Sequence, residues 1–203
     1  MKTHKNVMLN LIQVIGAFCL FLSISACDNE NEDIEGLNLM PQGECMVSSI
    51  EGLTMKFCLL DSDGNPKTTF KENENIIFML TFSNESRDTI VVAENLIDQD
   101  FFKVIGESSN NDYGKPYTGV WCEFVNAPKE IRIDPKQSFD MICPWVKENG
   151  ISVAYPLCKS VSNEYLPKGN YHTGYDTSFN IMKSGRVIQI GGPESINLLF
   201  TIN

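Results

Sequence analysis

From about residue 50 onward, apolar and polar side chains alternate with a period of two, broken by clusters of turn residues. Leu53, Met55, Phe57 and Leu59 alternate with Thr54, Lys56, Cys58 and Leu60, the pattern of a strand with one apolar face. Asp61-Ser62-Asp63-Gly64-Asn65-Pro66 follows as a turn. Its Asp-x-Asp-Gly-Asn spelling looks like a calcium loop, but Pro66 stands where such a loop needs glycine, so a plain turn is expected. In the next strand, 75–82, Ile76, Phe78, Leu80 and Phe82 share one face while Ile77 and Met79 occupy the other. Apolar residues on both faces predict a central, covered strand. Asn84-Glu85-Ser86-Arg87 turns the chain into the β-branched run Thr89-Ile90-Val91-Val92. Further strands are expected at 101–105, 120–125, 131–133, 139–143, 171–175, 178–182, 186–190 and 196–202. The stretches 106–119 and 144–167 read as two long loops, the first too polar to fold on itself. No segment shows a capped 3.6-residue period, so little helix is expected and the chain reads as an all-β sandwich or barrel.

The first 36 residues follow a different pattern. Lys2 and Lys5 lead an uncharged run from Val14 to Ala26, the layout of a secretory signal. The run is short for a ~30 Å hydrocarbon core, although Leu9, Leu11 and Ile12 would lengthen it into an uncleaved anchor. Its last residues, Ile24-Ser25-Ala26-Cys27, resemble the bacterial lipobox. The resemblance implies cleavage before Cys27, lipidation of Cys27, and a membrane partner held through the N-terminal lipid. Asp28, Glu30, Glu32, Asp33 and Glu35 then form an acidic tether. This run resembles the surface-export signal of Bacteroidetes lipoproteins, whereas an aspartate directly after the cysteine resembles the inner-membrane retention signal of enterobacteria. The expected organisation is a signal over 1–26, a lipidated tether over 27–36 and one domain over 37–203. The expected location is the outer membrane, surface-exposed, with a periplasm-facing site as the alternative.

The formal net charge is −10, and loss of Lys2 and Lys5 with the signal makes it more negative still. That balance argues against nucleic acid as a partner. Beyond Cys19 and Cys27 the chain carries Cys45, Cys58, Cys122, Cys143 and Cys158, an odd number in an exported protein. Cys143 and Cys158 bracket a single excursion and are the favoured disulfide pair, at about 3 kcal/mol for a loop of that size. There is no Cys-x-x-Cys, and His172 is the only histidine after the signal, so no metal or cofactor is expected.

Leu166-Pro167-Lys168-Gly169-Asn170-Tyr171 resembles the tyrosine corner of immunoglobulin-like domains, in which a tyrosine hydroxyl ties a corner to upstream backbone. The run from Ile76 to Asn84, and Ile131-Arg132-Ile133-Asp134-Pro135-Lys136, resemble intracellular proteinase inhibitor (BsuPI-type) domains, with Lys136 in place of the family's glycine. Residues 50–203 also look like immunoglobulin-like lipoproteins of Bacteroidales. These resemblances imply an immunoglobulin-like antiparallel β-sandwich with two long loop regions, and no activity carries over with them.

His172 has no Gly-x-Ser-x-Gly elbow to serve, and by alternation it lies opposite Tyr171 and Tyr175. A binding module rather than an enzyme is therefore expected, with a glycan or a host protein as ligand. The aromatics Tyr113, Tyr117, Trp121, Trp145, Tyr155 and Tyr165, in or beside the two loops, are the candidate ligand-binding residues. For Trp121 and Trp145 a core plug, like the buried tryptophan of an immunoglobulin domain, outweighs the binding role. Two other functions stay open, a structural or accessory subunit of an envelope complex and a proteinase-inhibitor-like domain.

Overall fold

The computed structural model describes residues 39–93, 102–116, 120–121, 130–147, 157–158, 163–175, 179–191 and 196–203, with the backbone alone for 39–42, 120–121, 157–158, 175 and 196. Cys27, Tyr117 and Tyr155 lie outside them. The described chain is an all-β sandwich. One sheet contains, in order, β1 (Leu39–Gln42), β2 (Cys45–Ile50), β3 (Leu53–Leu60), β5 (Ile77–Asn84) and β11 (Ser138–Pro144), all antiparallel. A second contains β10 (Glu130–Ile133), β6 (Ile90–Ala93), β14 (Phe179–Lys183) and β15 (Arg186–Ile190). The third runs β4 (Thr69–Phe70), β16 (Ile196–Ile202), β13 (Gly169–Tyr175), β7 (Lys103–Gly106) and β8 (Asp112–Gly114).

The inward faces of these three sheets form one core. Alternation along β3 and β5 sends Leu53, Met55, Phe57, Leu59, Phe78, Leu80 and Phe82 into it, each essentially without solvent contact. Ile90, Val92, Phe179 and Ile190 join from the second sheet, and Val104, Tyr171 and Phe200 from the third. Each such side chain contributes about 1.5–3 kcal/mol on burial. At the centre Phe102 stacks on Phe57 at 5.1 Å and tilts against Phe78 at 5.7 Å. Its φ of +59° is costly for a bulky residue, and this packing between two phenylalanines holds it there.

Tight turns set the registers. Glu51 and Gly52, both at positive φ, close the β2–β3 hairpin in two residues, and Ser184-Gly185 does the same for β14–β15. Lys136 adopts a φ of +61°. Its amide donates to Asn84 O (2.9 Å) and its Nζ to Glu85 O (2.6 Å). Asn84 is buried and saturated. Its amide nitrogen donates to Asp88 O and Ile133 O, and its carbonyl accepts from Ser86 N and Oγ. The tyrosine corner is present, with Tyr171 Oη donating to Pro167 O at 2.6 Å.

One expectation changes here. Within the polar stretch 106–119, residues 112–114 form β8, which pairs back on β7, and Lys103 Nζ meets Asp112 Oδ2 at 2.9 Å. Backbone ladders need no apolar side chains, which is why a polar run could take this role. Among the described residues the structure shows a disulfide that spacing did not favour, Cys45–Cys58, while the favoured Cys143–Cys158 pair falls partly outside those residues. Cys45 and Cys58 face each other across β2 and β3 with Cα atoms 4.6 Å apart. Spacing along the chain could not rank this pair, since it depends on the register of a strand, β2, with little apolar alternation. Cys143 is buried, its sulfur 3.7 Å from Pro116 O, and the side chain of Cys158 lies outside the described residues.

Candidate functional site

Of the six loop aromatics, Tyr113, Trp145 and Tyr165 have described side chains. Trp145 is 3 % exposed and tilts against Phe78 at 6.1 Å. Its indole Nε1 donates to Glu164 O at 2.8 Å, and its amide donates to Ile76 O at 2.7 Å. Asn75 clasps the next residue, donating to Val146 O and accepting from Val146 N. The ligand-binding assignment of Trp145 is thus corrected: it plugs the core, because β11 carries it inward beside β5 with its one polar atom satisfied. Tyr113 is half-buried and meets Tyr171 edge-on at 5.3 Å, so it buttresses the tyrosine corner. Tyr165 is exposed. The backbone of Trp121 pairs with Leu157, joining β9 (Val120–Trp121) to β12 (Leu157–Cys158), while the side chain of Trp121 lies outside the described residues. Asn163 Nδ2 also donates to Lys115 O at 2.8 Å, so the two long loops are stitched to each other.

A concave surface lies on the outer face of the third sheet. Tyr171 and Phe200 point inward as a register pair, stacked at 5.2 Å, which turns their neighbours outward. Asn170, Thr201 and Thr69 make one outward row across β13, β16 and β4, and His172, Leu199 and Ile105 make the next. Because β4 is only two residues long, a groove of about 340 Å³ opens beside β16. Thr68, Thr69, Glu107, Asn170, Leu199 and Thr201 line it above Tyr171 and Phe200. Thr201 Oγ1 donates to Asn170 Oδ1 at 2.8 Å, and Glu107 N donates to Asn170 O at 2.9 Å. Glu107 Oε1 pairs with His172 Nδ1 at the rim. Leu199 is 64 % exposed there.

Among the described residues no group of three His, Cys, Asp or Glu side chains converges as a metal site. The Asp61 stretch is a closed turn, with Asp61 Oδ1 accepting from Asn65 N and Asp63 N, and these bonds hold its carboxyl below the usual range. Burial, with Tyr113 adding to it, pushes the Tyr171 phenol up to about 12.

The groove residues were only half visible in the sequence. Alternation along β13 and β16 places Asn170, His172, Leu199 and Thr201 outward, but nothing in the chain order shows that these strands are neighbours or that Glu107 returns beside them. No protein-family model, no curated protein and no solved structure matches the chain.

Proposed function

We propose that the protein is a lipid-anchored module of the cell envelope that binds a ligand without transforming it. The supporting observation is the groove on the outer face of β4, β16, β13 and β7, which carries hydrogen-bonding groups and an exposed Leu199. The lipobox-like Ile24-Ser25-Ala26-Cys27 and the acidic tether behind it support attachment through Cys27 at the outer membrane, facing outward. The full chain, expressed in a lipoprotein-processing bacterium and labelled with an alkyne fatty acid, is expected to incorporate label that Cys27→Ser abolishes. Protease treatment of intact cells is expected to cleave it. An unlabelled wild-type chain, or complete protection in cells, overturns the respective part.

A second reading is favoured by one observation. On the second sheet, Val187 is 70 % exposed and pairs in register with Met182, itself 39 % exposed, on the edge hairpin β14–β15. An accessory subunit docking a protein partner there would use this apolar edge. Cross-linking on cells, with loss of the product in Val187→Lys, tests it.

A further inference from the structure

We infer that the groove between β4 and β13 is a saccharide site for neutral or amino sugars, an assignment that rests on the binding-module reading above. The argument begins with which polar groups are already used. Asn170 accepts from Thr201 through its oxygen, which leaves its amide nitrogen without a hydrogen bond among the described residues. His172 meets Glu107 through Nδ1, so its Nε2 edge and the second oxygen of Glu107 stay uncommitted among the described residues. The hydroxyl of Thr69 makes no hydrogen bond there either, and Thr201 keeps its acceptor capacity. The uncommitted groups in and beside the groove thus include both donors and acceptors. A sugar hydroxyl is both donor and acceptor, so a polyol satisfies such a mixed set, whereas a pure acceptor such as phosphate satisfies only half of it.

Charge sharpens the class. Glu107 lines the groove, and the chain carries a net charge of −10, so an anionic ligand would meet repulsion at the wall and across the surface. An amino sugar gains a partner in the same carboxylate. Nucleobases are disfavoured for a different reason: Tyr171 and Phe200 stack on each other beneath the groove and present no open aromatic face to it. What the groove does present is the isobutyl group of Leu199, which covers the C–H face of a pyranose without demanding aromaticity. At about 340 Å³ the groove stands at the small end of ligand pockets, enough for one or two sugar units.

The test uses the full chain in detergent on a printed array of neutral, amino and acidic saccharides, beside an array of extracellular proteins. Affinity for any array hit is then measured for wild type, Asn170→Ala, Leu199→Ala and a control on the second sheet, Glu130→Ala, with urea midpoints recorded for each. Binding of a neutral or amino saccharide that falls about tenfold or more in both groove variants, with midpoints and control unchanged, is the expected result. Saccharide binding that neither variant alters overturns the groove assignment and leaves the binding module standing. Binding restricted to acidic saccharides overturns the charge argument. A protein hit with no saccharide hit overturns this inference alone, and silence on both arrays overturns the proposed function with it.

Discussion

Replacing Tyr171 by phenylalanine removes one oxygen and leaves the ring, which stacks on Phe200 at 5.2 Å and meets Tyr113 at 5.3 Å. The lost interaction is the bond to Pro167 O, with a net worth of about 0.5–1.5 kcal/mol. Pro167 is exposed, so water can take over its carbonyl, and the expected loss at pH 7 is about 1 kcal/mol. The alkaline behaviour is the sharper part. Below about pH 10 both folded and unfolded chains keep the phenolic proton, and Tyr171 adds no pH dependence. Between about 10 and the folded value of about 12, the unfolded chain releases a proton that the folded chain retains, so wild-type stability falls as pH rises. The phenylalanine variant lacks this limb. At about 1.4 kcal/mol per pH unit, the wild type loses its initial advantage near roughly pH 11, and above that the variant is the more stable protein. Urea unfolding followed by tryptophan fluorescence, from pH 7 to 11.5, measures both curves. Equal stability at pH 7, or two curves that stay parallel to pH 11.5, refutes the assignment of a buried, corner-closing hydroxyl.

Thr173 is fully buried and its hydroxyl finds no partner among the described residues, so Thr173→Val is expected to raise stability by about 1–2 kcal/mol in the same assay. Trp145→Ala should cost about 3–5 kcal/mol, and ligand affinity measured where the variant is still folded should not change, since the indole is core. Gly52→Ala should cost about 1–3 kcal/mol, because φ is +84° and an added Cβ would lie 2.9 Å from the Cβ of Ser86. Replacing Cys45 and Cys58 together by alanine should cost about 3 kcal/mol for a separation of 13 residues, visible as a lower thermal midpoint that reducing agent no longer shifts.

What the sequence determined by itself is what local chemistry enforces. Period-two alternation along 53–60 and 76–82 decides which side chains face the core whatever the strands pair with, and Leu53, Phe57, Phe78 and Phe82 all lie there. Turn residues such as Ser184-Gly185 act within four residues, and so does the tyrosine corner, whose bond spans Pro167 to Tyr171. Tertiary structure decided everything that depends on which strands are neighbours. The pairing of Cys45 with Cys58 required the register of β2 on β3, and β2 carries little alternation to announce itself. Trp145 became core because the end of β11 runs beside Ile76 and opposite Phe78, contacts made across more than 60 residues of chain. The groove has the same origin. Thr69, Glu107, Asn170 and Leu199 are scattered along the chain, and only the order β4, β16, β13, β7 sets them around one concave surface. Side-chain direction is a property of one strand, whereas adjacency comes from the balance of burial over all of them.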